Sequence, residues 1–220
     1  MEDHENSGLL TNLWERYNKI EKNLPTPIIE IYNKLRNISS FSDRGLEKKL
    51  LDVFEVILKL DTSIMIAKYV EDKGSVPKID NQISQLIHPS TGIYKASLRV
   101  LVNFYKKKAS SENENPPFVV DIINFLFDKI SSDCFQCLRF ITNKLNLPRL
   151  KDNENTIDLL IDKLITYRNN FAHGADKKDD SYAELMASLY IVVIELTEKF
   201  SQRLSYELVY IENDYPYSSA

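Results

Sequence analysis

The chain is organised around the segment LITYRNNFAHG, which spans residues 164–174. This segment closes a stretch in which apolar residues recur with the period of an amphipathic helix. Its last residue, Gly174, can end that helix in the left-handed conformation. An Arg-Asn pair followed by a histidine and a glycine is unusual chemistry for the end of a core helix. The segment is therefore the first candidate for a functional site.

The helix that ends in this segment presents two faces, because successive residues turn by about 100°. Arg168 and His173 are five positions apart, so their side chains project about 140° from each other on an ideal helix. They line one pocket only if the helix end deforms or a second subunit contributes. The core-facing stripe consists of Ile157, Leu160, Ile161, Leu164, Arg168 and Phe171. The second stripe consists of Asp162, Thr166, Asn169 and His173.

The spacing of Arg168 and His173, with four residues between them, resembles the Arg-x4-His motif of the HEPN superfamily (higher eukaryotes and prokaryotes nucleotide-binding domains). These are all-helical domains, and many of them are metal-independent endoribonucleases. Their cleft is composite, since two protomers pack with their motif helices side by side. The run LDVFEVILK at residues 51–59 is also similar to HEPN-like modules at the N-terminus of larger bacterial signalling or defence proteins.

The resemblance implies a set of site residues and needs neither a metal nor a cofactor. If the motif is catalytic, Arg168 clamps the phosphate of single-stranded RNA, His173 moves the proton, and Asn169 orients the phosphate or the imidazole. An acidic residue from another helix often approaches the motif in this superfamily. Glu55 and Asp52 are the candidates for that role.

Two alternatives remain open. The chain could be a catalytically inactive dimerisation or regulatory module of a larger signalling protein, in which Arg168 and His173 form hydrogen bonds across a two-fold axis. A nucleotide-binding module is less well supported, because the sequence has no glycine-rich phosphate loop. Ala175 stands where HEPN toxins paired with nucleotidyltransferase antitoxins carry a tyrosine, so the chain departs from that subgroup.

The composition is typical of a helical protein with ample core material. The 220 residues are 43% hydrophobic and 27% charged, and they include only five glycines. The net charge of −4 supplies no general field for nucleic acid, so any RNA contact requires a local patch. The densest basic cluster is Lys106, Lys107 and Lys108, which suits either a phosphate backbone or a solvated helix end.

The same composition also bears on location and partners. No run of about 20 apolar residues is present, so no membrane span is expected. Two cysteines indicate a reducing cytoplasm rather than a disulfide scaffold. Cys134 and Cys137 form a Cys-x-x-Cys without a second pair, and their helical setting favours structural thiols. The expected partners are a second copy of the chain, bound through the motif helix, and a downstream domain or a regulatory protein.

Periodicity and capping signals predict an all-α, HEPN-like bundle of long antiparallel helices, about seven to nine in number. Thr26 and Ser90 are expected N-caps. The stretch 118–130 is apolar almost all round and is expected to be a buried helix. The HEPN-like domain is expected to span residues 1–205, and residues 206–220 form a tail or the start of a truncated downstream domain. The helices are predicted at residues 9–24, 28–38, 44–71, 80–87, 93–107, 118–130, 133–145 and 182–204, together with the motif helix, which Asn155 or Thr156 can cap and which ends at Gly174.

Overall fold

The computed structural model describes residues 20, 24–35, 45–72, 75–109, 115–151, 155–172 and 182–203. Within these ranges the chain is helical, and its β-structure is limited to an isolated bridge between Lys129 and Thr156. Short 3-10 turns follow α1 and α3 at Asn33–Leu35 and Gln85–Ile87. The all-α prediction is confirmed. The α-helices are α1 (Thr26–Tyr32), α2 (Leu46–Glu71), α3 (Pro77–Ser84), α4 (Thr91–Ala109), α5 (Pro117–Phe127), α6 (Ser132–Lys144), α7 (Ile157–Ala172) and α8 (Tyr182–Arg203).

Helix α8 lies at the centre of the described part and packs against α2, α5 and α6. Helix α2 also contacts α1, α4 and α7, so these two long helices share most of the core. Burial of each large apolar side chain contributes roughly 1.5–3 kcal/mol. The apolar residues of α8 that recur with the helical period are all buried, namely Leu185, Leu189, Val192, Val193, Leu196 and Phe200.

Helices α2 and α4 run in the same direction where they touch. The hydroxyl of Thr62 donates to the carbonyl of Tyr94 at 3.3 Å, near the start of α4. Further toward the C-terminus of both helices, the hydroxyl of Tyr105 donates to Asp72 at 3.1 Å, just beyond the end of α2. The short helix α3 lies between them in the chain and packs on α4. It returns the chain along the bundle, so α4 begins beside the middle of α2.

Helices α6 and α8 run antiparallel. Glu195 accepts hydrogen bonds from Ser131 at the start of α6, and Ser188, earlier in α8, bonds to Cys137 later in α6. Both cysteines are free thiols, with Cys134 buried and Cys137 half-buried. Burial raises the pKa of the Cys137 thiol, which lowers its reactivity at neutral pH. These features agree with thiols that serve packing.

Two helix starts show how well the capping signals predict the structure. Ser90 is a side-chain cap as predicted, because its Oγ accepts from the backbone nitrogen of Ile93 at 3.2 Å. The prediction for Thr26 was wrong. Pro25 is the N-cap residue of α1, and Thr26 is already helical. No side chain caps this helix, and Pro27 lies within its first turn. Proline suits this turn because its missing N–H has no helical partner there.

Helix α5 is shorter and more amphipathic than its apolar sequence predicts. It begins at Pro117 and ends at Phe127, where Asp128 adopts extended backbone. Val120 and Phe127 are exposed, so the expectation of burial all round was wrong. Helix α5 contacts α4, α7 and α8, and its exposed residues recur every three or four positions along one side. The buried side consists of Val119, Ile122, Phe125 and Leu126.

Several predicted segments lie outside the described residues. These are most of the helix at 9–24, of which Ile20 and Leu24 are described and buried, and the stretch at 206–220. The helix predicted to reach residue 38 is described as far as Leu35. Among the helices that are described, none combines the length and apolar character needed to cross a membrane.

Candidate active site

Helix α7 carries the Arg-Asn pair and is fixed along its apolar stripe. It begins after Thr156, whose Oγ1 accepts from the backbone nitrogen of Leu159 at 3.4 Å. It then packs against α2, α5 and α6. This packing leaves the last turn of α7 to present the motif residues. The buried stripe consists of Ile157, Leu160, Ile161 and Leu164.

Tyr167 anchors α7 to α2 immediately before the motif begins. Its side chain is buried, and its hydroxyl donates to Oε1 of Glu47, which is buried as well. Burial and this hydrogen bond raise the pKa of Tyr167 far above its ordinary value, so the phenol stays protonated. A buried carboxylate needs such a donor, because removal from water is otherwise costly. The anchor therefore sets the position of the backbone that carries Arg168.

Arg168 meets an acidic side chain from α2. Its Nε donates to Oε1 of Glu55, and the other carboxylate oxygen, Oε2, lies 3.3 Å from Nζ of Lys59. The Glu55 side chain is 13% exposed, whereas those of Arg168 and Lys59 are 37% and 45% exposed. One mostly buried carboxylate thus holds two cations whose outer atoms reach solvent. Such an arrangement can orient cationic groups toward an anionic ligand.

The other predicted site residues are Asn169, His173 and Asp52, and none of them has a described contact with Arg168. Asn169 is exposed at the end of α7, and the neighbouring Asn170 is exposed too. His173 lies outside the described residues. Asp52 is half-buried one turn before Glu55 on α2, and the described contacts of Arg168 involve Glu55 rather than Asp52. Within the described ranges, no group of three or more His, Cys, Asp or Glu side chains could hold a metal ion.

The three lysines at the end of α4 are partly engaged within the domain. Nζ of Lys108 lies 2.8 Å from Asp72, and Nζ of Lys106 lies 3.9 Å from the ring centroid of Phe127. Lys107 is exposed. Hydrogen bonds from Lys108 and then Lys68 lower the pKa of Asp72 to about 2. Two of the three lysines therefore have intramolecular contacts that an RNA strand would have to compete with.

A charged network between α4 and α7 was not anticipated from the sequence. The ammonium group of Lys95 binds Asp158, and Arg99 binds both Asp158 and Asp162 at 2.8 Å. Burial lowers the pKa of Lys95, although Asp158 acts in the opposite direction. Burial disfavours the Asp158 carboxylate, but Lys95 and Arg99 outweigh it and lower the pKa of Asp158. Each helix carries two like charges at i, i+4, a complementary pattern that could have indicated this contact.

A second unanticipated ion pair fixes the end of α8. Arg203 binds Asp61 of α2, and its guanidinium lies 4.4 and 4.5 Å from the ring centroids of Phe125 and Phe200. Burial raises the pKa of Asp61, although Arg203 opposes this effect. Asp61 stands in α2 where the helical period calls for an apolar residue. The charged residue at this core position was therefore the feature of the sequence that could have predicted a buried ion pair.

Comparison with known protein families gives a match over more than half of the chain. Residues 65–206 match the family RiboL-PSP-HEPN. The matched region runs from the second half of α2 to beyond α8, so it includes Arg168, Asn169 and His173. Glu55 and Lys59 precede it. No curated protein and no solved structure matches the chain significantly.

Proposed function

Because the chain belongs to the RiboL-PSP-HEPN family of HEPN domains, we propose that it is a metal-independent endoribonuclease. It acts as a homodimer on single-stranded RNA in the cytoplasm, in a toxin, phage-defence or stress-response setting. The observation that supports this most directly is the partly exposed side chain of Arg168, which Glu55 holds near the end of the motif helix.

Arg168 is the phosphate-binding residue in this proposal. Its guanidinium has five N–H donors, and the contact with Glu55 uses the one on Nε. A planar guanidinium matches two phosphate oxygens at once and stays charged at all accessible pH values. In the transition state it neutralises the charge that grows on the phosphate oxygens.

His173 moves the proton in the chemical step. The 2′-hydroxyl of the nucleotide attacks the adjacent phosphorus, a bond forms from O2′ to phosphorus, and the bond to the 5′-oxygen of the next nucleotide breaks. An imidazole suits this transfer because its ordinary pKa lies near neutrality. The products are a 2′,3′-cyclic phosphate and a free 5′-hydroxyl, so no metal-bound water is needed.

Asn169 is the third residue of the motif, and its position on the helix bears on how two protomers would pack. Asn169 and His173 are four positions apart, which places them on the same side of a continuing helix. Arg168 projects toward α2 instead, where it meets Glu55. A second protomer, packed with its motif helix alongside, would bring the Asn169 and His173 side of one helix to the Arg168 of the other. Asn169 and Asn170 are both exposed and polar, which suits such an interface.

The deciding experiment compares the wild-type chain with His173→Ala. Both proteins are first matched for helicity by circular dichroism and for oligomeric state by sedimentation. Each is then incubated with end-labelled single-stranded RNA in EDTA. We expect cleavage by the wild type alone, with cyclic-phosphate ends. His173→Gln serves as a second variant that keeps a polar side chain of similar size.

Other outcomes lead to different conclusions. A stable dimer that cleaves no RNA would favour the alternative function, a catalytically inactive dimerisation or regulatory module of a larger signalling protein. Equal cleavage by wild type and His173→Ala would place the chemistry elsewhere or in a contaminant. A monomer that cleaves RNA would contradict the composite site and leave the enzyme assignment standing.

A further inference from the structure

Lys59 lies beside the Arg168 site and belongs to no part of the Arg-x4-His motif. Its Nζ lies 3.3 Å from Oε2 of Glu55 and 5.9 Å from the centroid of the Tyr94 ring. The side chain is nearly half exposed. It therefore combines two contacts that fix its position with access to solvent.

The shared carboxylate brings two positive charges close together. Arg168 occupies one oxygen of Glu55 and Lys59 occupies the other, so the two cations are separated by no more than one carboxylate group. The formal charges of Arg168, Lys59 and Glu55 add up to +1. In a chain whose net charge is −4, this cluster is a local excess of positive charge on an acidic background.

The position of Lys59 is set from two helices. Glu55 is one turn earlier on α2, and such an i, i+4 pair contributes only a few tenths of a kilocalorie on an open helix. Tyr94 adds a partner from α4, since a ring within about 6 Å attracts an ammonium group. The backbone of Tyr94 is itself held, because its carbonyl accepts from Thr62 at 3.3 Å. Lys59 thus has a defined orientation in the absence of ligand.

We propose that Lys59 binds a second phosphate of the RNA strand, next to the phosphate that Arg168 binds. Glu55 and Tyr94 are positioning residues for it. The ligand class is single-stranded RNA that offers at least two successive phosphates. This inference rests on the proposed function, which concerns the same site. Of the basic residues described, Lys59 is placed better for this contact than Lys106 and Lys108, which bind Phe127 and Asp72.

The test measures RNA binding without cleavage. The full chain carrying His173→Ala is titrated into a fluorescent single-stranded oligonucleotide of about ten nucleotides, within the usual site sizes of single-strand-binding proteins. Anisotropy is recorded over a series of salt concentrations. We expect Lys59→Gln to weaken binding about threefold to tenfold. It should also reduce the slope of log K against log salt by about 0.7, the value for one phosphate contact on a single strand.

Further variants distinguish a specific contact between Lys59 and the RNA from a general effect of positive charge. Lys59→Arg should keep most of the affinity, since the charge remains next to Glu55. Tyr94→Leu should lower affinity less than Lys59→Gln does, and Tyr94→Phe should lower it less than Tyr94→Leu because the ring remains. Lys78→Gln, on the exposed surface of α3, removes the same charge at a distance and should have little effect.

The outcomes distinguish this inference from the proposed function. If Arg168→Gln weakens binding and Lys59→Gln changes neither affinity nor salt slope, the second phosphate site is wrong and the nuclease proposal stands. If Lys78→Gln weakens binding as much as Lys59→Gln, the effect is general charge and the inference is likewise overturned. If the wild-type chain neither binds nor cleaves RNA, both proposals fail.

Discussion

The Nε atom of Arg168 and the Oε1 atom of Glu55 form an ion pair between α7 and α2. The two residues are 113 positions apart in the chain. The Glu55 side chain is largely buried while that of Arg168 is partly exposed. The carboxylate is therefore the fixed partner, and the arginine can reach a ligand from solvent. This relationship gives a direct test of how the site is organised.

We expect Glu55→Gln to lower RNA cleavage about tenfold, which corresponds to about 1.4 kcal/mol in the barrier. Glutamine keeps the shape of the side chain but loses the charge that orients both Arg168 and Lys59. The measurement is kcat/KM on a labelled RNA. Asp52→Asn, one turn away on the same helix, is the matched control and should retain activity. Equal losses in the two variants would contradict a specific role for Glu55.

Tyr167→Phe should lower the free energy of unfolding by about 1–3 kcal/mol, because it leaves the buried Glu47 carboxylate without its hydroxyl donor. Urea denaturation followed by circular dichroism measures the change. Adding Glu47→Gln to this variant should recover part of the loss, since a neutral amide costs less to bury. If the double variant is less stable than Tyr167→Phe alone, the explanation by the lost hydroxyl donor is wrong.

The helices themselves are predictable from local pattern. The inward positions of α8 follow a period of 3.6 and are buried, and Ser90 caps α4 as its side chain predicts. Local sequence patterns failed to predict burial where burial depends on which other helices pack against the residue. The apolar sequence of α5 gives no reason to expect that Phe127 is exposed, because burial depends on how many neighbouring helices reach that side.

The site is only partly predictable for the same reason. The motif on α7 and the two acidic candidates on α2 can be read from the sequence. That Glu55 rather than Asp52 contacts Arg168 depends on the crossing of two helices far apart in the chain. Lys95 is a similar case, since an ordinary surface residue by composition becomes a buried ion-pair partner once α4 packs near α7.

Lys95 and Arg99 bind the same carboxylate of Asp158 but should differ in their importance. Lys95 is 5% exposed and Arg99 is 48% exposed. We expect Lys95→Met to destabilise the fold by about 1–3 kcal/mol, since it removes a charged hydrogen bond in a buried setting. Arg99→Met should cost less than about 1 kcal/mol, as is usual for exposed ion pairs. Chemical denaturation of the two variants checks the order, and the reverse order would contradict it.

Asp72 should make the stability of the domain depend on pH in the acid range. Its pKa is lowered to about 2 by hydrogen bonds from Lys108 and Lys68, against an ordinary value of 3.8. A carboxyl whose pKa is lower in the folded state stabilises the fold above the unfolded-state pKa. That contribution is lost as the pH falls from about 4 toward 2, because the folded protein must then take up the proton. The side chain lies near the surface, so the effect should be modest and should shrink with added salt.

The test compares wild type with Asp72→Asn in urea at pH values from 7 to 2. The wild type should be the more stable protein at neutral pH, and the difference should narrow between pH 4 and 2 as Asp72 is protonated. Glu30→Gln, on the exposed surface of α1, removes an acidic group outside this cluster and should show no such convergence. A difference between wild type and Asp72→Asn that stays constant down to pH 2 would mean that the charge of Asp72 does not bind α4 to the end of α2.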